Sequence, residues 1–237
     1  MTALSPDDAE RLRQAFLQCR SSAATLREQL ATYAAAGREI FPAYAEAVDR
    51  LVARIEANGG GESAPRPGEA MPPFMLPDDT GQLVDLPSLL ASGPVAVMFF
   101  RGHWCPYCRL SAVALVRAMH RFREAGGRLV AITPELQSYA QRFKVETGAD
   151  FPVLSDLDNG YALSLNLAIW LGSEVRGLLS YLDFAAFHGN DGGLLPIPAV
   201  FVVGRDGVVK ARFIDPDFRR RMEVDDLVDA LAKAARA

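Results

Sequence analysis

Two of the chain's three cysteines stand three residues apart in "RGHWCPYCR", as Cys105 and Cys108 on either side of Pro106 and Tyr107. If this stretch opens a helix, the two side chains share one face, and their sulfurs reach a bonding distance of about 2 Å with little backbone movement. Free N–H groups and the positive end of the helix dipole favour a thiolate at such a start. Cys105, the more N-terminal thiol, is therefore the expected nucleophile, with a lowered pKa and the greater exposure. Cys108, one turn deeper, would attack a sulfenic acid or mixed disulfide on Cys105 and convert it to an internal disulfide. Pro106 suits the first helical position, where an N–H would have no intrahelical partner.

Two other chemistries use the same residues. A structural zinc site needs two further ligands, and the chain offers His103, His120, His188 and Cys19. His120 lies twelve residues beyond Cys108 on the same expected helix, about 18 Å along the axis, and cannot close the site. The other reading is a pair of reduced cysteines that merely pack as small hydrophobes. Neither a metal nor a cofactor is expected. Near the dithiol, Arg101 stabilises the thiolate, or else points to solvent. His103 is an acid or base near neutral pH or a structural histidine. Trp104 shields the sulfur and docks an apolar substrate, or caps the core. Gly102 and Tyr107 shape access. Cys19 falls on an apolar stripe and reads as a buried, inert thiol.

Length and composition narrow the class. The 237 residues, half of them hydrophobic, suffice for a substantial core without disulfide staples. A net charge of −4 with interspersed signs leaves no basic stripe for nucleic acid. The opening "MTALSPDDAERLRQ" has neither the basic start nor the apolar core of a secretory signal, and no run of about 18 apolar residues occurs. A cytoplasmic protein without membrane contact is the expectation, and a Cys-x-x-Cys pair in a reducing compartment reads as redox-active.

The elements that must position the dithiol follow from periodicity. Residues 1–57 read as a helical segment, with Ser5 as N-cap, Pro6 at the first position and an apolar stripe from Leu12 to Ile55. Pro42 should interrupt the stripe, which then serves intramolecular packing or a homodimer seam. Residues 58–70 read as a Gly/Pro-rich linker and 71–237 as the second domain. That domain opens with a hairpin turning near Asp79–Gly81. The strand "VAVMFF", a helix over 105–125, the strand "RLVAIT", the helix "PELQSYAQRFKVETG", a strand in "FPVLSD" and the helix "DNGYALSLNLAI" follow. An irregular loop over 171–195, with one helical turn near "LLSYLDFAAF", leads to the hairpin "AVFVV" and "VVKARFI" and a last amphipathic helix. Alternating strands and helices imply a partly parallel α/β sheet.

Residues 67–108, with "LVAITPE", "FPVLSDLDNGYALSLNL" and "IPAVFVVGRDGVV", resemble the alkyl hydroperoxide reductase and thiol-specific antioxidant group of the thioredoxin superfamily, the peroxiredoxins. The resemblance covers about residues 66–235 and leaves the N-terminal helices outside. It implies a thioredoxin-like α/β fold, a mixed central sheet flanked by helices, here with an N-terminal helical extension. It also implies reduction of hydroperoxides at Cys105, with Arg101 at the thiolate or a peroxide oxygen and Arg176 or Arg205 as alternative sources of a second cation, and regeneration by a thioredoxin- or glutaredoxin-like dithiol. The family's Pro-x-x-x-Thr/Ser-x-x-Cys is changed at two positions, to Met98 and Gly102. Cys-Pro-Tyr-Cys instead resembles the glutaredoxin dithiol, and Pro198 resembles the cis-proline of thioredoxins and glutaredoxins. Those features imply exchange with protein or glutathione disulfides, and a cis Ile197–Pro198 bond is expected. A redox-sensing or scaffold protein is the third reading.

Overall fold

Three helices open the chain because its apolar stripe is cut twice. The computed structural model describes residues 4–236, so residues 1–3 of the expected helical segment and residue 237 of the last helix lie outside the described residues. Helix α1 (Pro6–Ser21) starts where Ser5 Oγ accepts from the Asp8 N–H at 3.1 Å. Helix α2 (Leu26–Ile40) starts with a capping box. Thr25 Oγ1 accepts from the Glu28 N–H at 3.3 Å, and the Glu28 carboxylate accepts from the Thr25 N–H at 2.9 Å. Helix α3 (Pro42–Ala57) begins on the proline, which lacks the N–H needed to continue α2 and needs none at a helix start. The stripe is spent within the chain: Phe16, Leu30, Tyr33 and Val48 share one buried cluster with Cys105, Cys108 and Leu110.

The remaining elements build a sheet. A hairpin of β1 (Met75–Pro77) and β2 (Leu83–Asp85) turns where Asp78 Oδ1 accepts from the Thr80 and Gln82 N–H groups at 2.8 and 3.0 Å. Helix α4 (Leu86–Leu90), strand β3 (Val95–Phe99) and helices α5 (Pro106–Arg117) and α6 (Met119–Glu124) follow. Then come β4 (Arg128–Thr133), α7 (Gln137–Thr147), β5 (Val153–Ser155), a 3₁₀ turn (Leu157–Asn159) and α8 (Gly160–Ser164). The chain closes with β6 (Ala168–Trp170), α9 (Gly172–Leu178), α10 (Phe184–His188), β7 (Leu194–Pro196), β8 (Ala199–Val203), β9 (Val209–Ile214) and α11 (Val224–Ala235). The main sheet has the order β5-β4-β3-β8-β9. β3 runs parallel to β4 and antiparallel to β8, with Met98 opposite both Ala131 and Val200. All five residues of β3 are buried, and alternate ones enter opposite clusters: Ala96 and Met98 join that of Cys105, while Val95, Val97 and Phe99 join the other. Helices cover both faces, so β3 reads as one continuous apolar run. Among the described residues no helix is long and apolar enough to cross a membrane.

Four sequence expectations are corrected here. The helix over 105–125 breaks at Ala118, whose ψ of 8° leaves the helical range. The helix in "DNGYALSLNLAI" shrinks to α8, because Asp158 and Asn159 take left-handed conformations while Asp156 accepts from the Tyr161 and Ala162 N–H groups, both at 2.9 Å. The stretch 171–195 holds two helices, and β6 pairs antiparallel with β7. The Ile197–Pro198 bond is trans, as no described peptide bond is cis. Its approach is fixed from outside: Pro196 pairs with Ala168, and the Ile197 N–H donates to Leu167 O at 2.7 Å, so the chain enters β8 already extended. The Gly/Pro-rich stretch before β1 also lies on the sheet. The Gly68 N–H donates to Val209 O at 2.9 Å, Ala70 bridges Val208, and Arg212 donates to Pro65 O at 3.2 Å.

Candidate active site

Cys105 is the N-cap of α5, with φ −83° and ψ 112°, and Pro106 takes the first helical position. The turn from β3 is tightened by the Cys105 N–H donating to Gly102 O at 3.2 Å, and the Arg109 N–H donates to Cys105 O at 3.1 Å as the first helical bond. The Arg101 N–H lies 3.3 Å from Cys108 Sγ, which ties the turn to the second thiol. Both sulfurs are thiols, and both residues are buried; Cys105 is 1 % exposed, not the open thiol that its position suggested. Tyr33 from α2 and Phe218 from beyond β9 pack edge-on against Tyr107, 5.2 and 5.5 Å between ring centroids, and help to roof the helix start.

Electrostatics divide the two thiols. Burial alone would raise the pKa of Cys105, but the Cys108 thiol donates to it, and the Arg101 and Arg221 charges favour its thiolate, lowering it to about 6. Burial pushes Cys108 well up, and the neighbouring Cys105 sulfur adds to the shift, so Cys108 keeps its proton. Arg101 is 2 % exposed, its guanidinium 3.8 Å over the Phe218 ring and 5.0 Å from the Trp104 ring, so it faces the site and not solvent. The second cation is Arg221, with Nη2 3.6 Å from Cys108 Sγ. Neither Arg176 nor Arg205 fills that role: Arg176 packs against Gly193, and Arg205 donates to Ala91 O at 3.2 Å.

Glu135 is the other group that the sequence did not announce. It follows β4 and is buried completely, where its carboxylate accepts from the His103 N–H at 2.8 Å and meets His103 Nδ1 at 2.6 Å. Burial pushes its pKa up against the lowering effect of His103. His103 also stacks on Tyr139 at 4.9 Å and meets Phe187 edge-on at 4.8 Å, so it is held on three sides. This explains Gly102. At its φ of +133°, a Cβ would lie 2.6 Å from the Glu135 carboxyl carbon and 2.8 Å from Trp104 Nε1. No side chain, hydroxyl-bearing or otherwise, fits while Glu135 and Trp104 stand there.

A cavity of about 290 Å³ leads to Cys105. Arg101, Trp104, Pro106 and Tyr107 line one wall, and α1, α2 and α3 supply the facing one. Pro198 does not line it. Two buried donors of its lining residues, Arg101 Nη2 and Trp104 Nε1, have no hydrogen-bond partner. His188, on the other side of Trp104, is buried with its Nε2 unpartnered, and burial lowers its pKa to about 4. Cys19 packs in the core, where burial raises its pKa. Among the described residues no group of three or more His, Cys, Asp or Glu could hold a metal ion.

Residues 67–212, more than half of the chain, match the AhpC/TSA family. The chain belongs to that family. It is 32 % identical over 92 residues to a chloroplastic peroxiredoxin Q of Oryza sativa subsp. japonica, covering 39 % of this chain and 42 % of the relative. It thus spans less than half the length of that protein. A chloroplastic peroxiredoxin Q of Suaeda salsa is 26 % identical over 167 residues, covering 69 % of this chain and 66 % of the relative. Among solved structures, peroxidoxin BcpB from Mycobacterium tuberculosis superposes with a TM-score of 0.56 at 23 % identity, over 73 % of this chain and all but 1 % of that one. The fold is therefore thioredoxin-like, a mixed central sheet flanked by helices, and the AhpC/TSA match begins only after α3.

Proposed function

We propose that this peroxiredoxin-like chain is a thiol peroxidase acting through Cys105 and Cys108. The observation that carries the reading is the arrangement at the start of α5, a buried thiol at the N-cap beside two buried arginines and one turn before a second thiol, which together lower the pKa of the first and raise that of the second. The Cys105 thiolate attacks the distal oxygen of a hydroperoxide; an S–O bond forms, the O–O bond breaks, and the alkoxide leaves as an alcohol after taking a proton. Cys108 then loses its proton and attacks the sulfenic sulfur. An S–S bond forms, the S–O bond breaks, and the oxygen departs as water. An external dithiol of the thioredoxin or glutaredoxin type supplies the two electrons that restore both thiols, which fits a reducing compartment such as the cytoplasm. Arg101 Nη2 and Trp104 Nε1, buried without partners, are the donors available to the peroxide oxygens in place of the absent hydroxyl at Gly102. The stripe of α1–α3 is occupied by this chain's own α5, so a homodimer through that face forms no part of the proposal.

One observation favours a second reading. Gly102 has no hydroxyl and no room for one, and the same dithiol serves thiol–disulfide exchange. Stopped-flow fluorescence of the reduced protein with hydrogen peroxide, an organic hydroperoxide and a mixed disulfide separates the two, with Trp104 beside the sulfur as reporter. The expected result is a hydroperoxide reaction far faster than that of a free thiol, and a stable sulfenic acid in Cys108→Ser. Rapid reaction with the disulfide alone would replace the peroxidase by an oxidoreductase.

A further inference from the structure

We propose that α1–α3 form the binding wall for the hydrocarbon part of an organic hydroperoxide, with Gly37 as the position that sets the size admitted. The inference rests on the peroxidase reading and adds the wall, outside the family-matched residues, that selects among hydroperoxides by size. With 1 % of Cys105 exposed, a substrate reaches its sulfur through the cavity. The reacting wall comes from the family-matched residues, whereas the facing wall of Phe16, Tyr33, Gly37, Phe41, Tyr44 and Val48 lies wholly outside the match. That wall is apolar or aromatic, and at about 290 Å³ the cavity falls near the small end of ligand pockets, roughly 300–1,000 Å³.

The charges at the rim decide against an anionic ligand. Arg13 is bound to Glu10 at 2.7 Å, Arg38 to Asp49 at 2.6 Å, and Arg219 to Asp217 and Asp49 at 2.7 and 2.8 Å. Arg109 lies 3.4 Å from Glu146. Arg101 differs, being buried with Nη2 unpartnered at the sulfur end. A ligand that suits this space has an uncharged apolar body and its hydrogen-bonding group at Cys105, which describes an alkyl or aryl hydroperoxide. Hydrogen peroxide would leave the apolar wall without a partner.

Gly37 gives a way to fill the space without disturbing the framework. It lies inside α2, and a Cβ there would meet nothing within 4 Å. Replacing a mid-helix glycine also removes its entropic penalty. The test compares second-order rate constants of the reduced full-length protein with cumene hydroperoxide and with hydrogen peroxide, in the wild type, Gly37→Phe and Ala34→Leu. Ala34 stands one turn before Gly37 on the same face and also lines the cavity. The wild type is expected to prefer cumene hydroperoxide, and the ratio of the two rate constants to fall about tenfold or more in Gly37→Phe and less in Ala34→Leu. An unchanged ratio in both variants, with helical circular dichroism retained, overturns the wall and leaves the peroxidase intact. So does a wild type that prefers hydrogen peroxide. A wild type no faster than a free thiol with either peroxide overturns the peroxidase reading itself.

Discussion

Cys19 and Cys105 are the same side chain under nearly the same cover, 3 % and 1 % exposed, and they titrate in opposite directions. Around Cys19, burial is the cause that acts, and it raises the pKa. Around Cys105 burial acts as well, but a donated thiol hydrogen bond and two arginines outweigh it. Cys105 is thus distinguished by what is buried with it, not by exposure. Cys19 sits in the last turn of α1, at the carbonyl end and with no second thiol one turn away, whereas Cys105 caps the N–H end of its helix. The largest effect expected from this contrast is in the Cys105→Ser protein, where the rate constant with hydroperoxide should drop by about a thousandfold or more, while Cys19→Ala should change it by less than about twofold. Stopped-flow kinetics on both variants check this, and peroxide turnover surviving in Cys105→Ser would reverse the comparison.

The turn that makes Cys105 different depends on Gly102. A serine there combines φ +133° with a Cβ 2.6 Å from the Glu135 carboxyl carbon. Gly102→Ser should therefore destabilise the protein by about 2–4 kcal/mol. At roughly 2–4 °C per kcal/mol for a chain of this size, the loss is readable in thermal unfolding. An unchanged midpoint would mean that the hydroxyl is accommodated and that Glu135 does not decide the residue at 102.

Arg221 allows the two cysteines to be made more alike. With its pKa lowered to about 6, Cys105 should be mostly thiolate at neutral pH, so the rate constant should level off about one unit above that value and fall as pH drops through it. Arg221→Met removes one favourable charge and should raise the midpoint by about one unit, toward the direction seen at Cys19. Below both midpoints the variant then reacts about tenfold more slowly, and well above them the difference vanishes. A pH–rate profile of the two proteins measures this. An unshifted midpoint would leave Arg101 as the cation that matters.

What was legible in the sequence was local. The five-residue apolar run of β3, the proline after Cys105 and the spacing of two cysteines are neighbours in the chain, and each signal acts over one or two turns. Arg221 and Glu135 were not legible, since they lie 113 residues from Cys108 and 32 from His103, and only the sheet order brings them there. The empty hydroxyl position at Gly102 was visible, but its cause, a carboxylate arriving from the end of β4, was not. The expected cis-proline failed for a related reason: pairing of β7 with β6 decides how the chain enters Pro198, and nothing local records that pairing. In the helical extension the stripe was plain, yet which element it covers depends on where α5 lies.

The smallest effect concerns the donor beside Cys105 that has no counterpart described at Cys19. Trp104 Nε1 is buried without a partner, and it stands 2.8 Å from the point where a Cβ at position 102 would begin. Its ring meets Phe184 edge-on at 5.0 Å and lies 5.0 Å from the Arg101 guanidinium. A phenylalanine preserves an aromatic face for both neighbours and removes the N–H together with the five-membered ring that carries it. If that N–H donates to a peroxide oxygen, Trp104→Phe should lower the hydroperoxide rate constant about threefold to tenfold, the range of one neutral hydrogen bond, with little effect on reaction with a mixed disulfide. Because the substitution also removes the fluorescent reporter, peroxide consumption is the readout. An equal fall with both oxidants would assign the indole to the shape of the wall alone, and would leave Arg101 Nη2 as the donor for the peroxide.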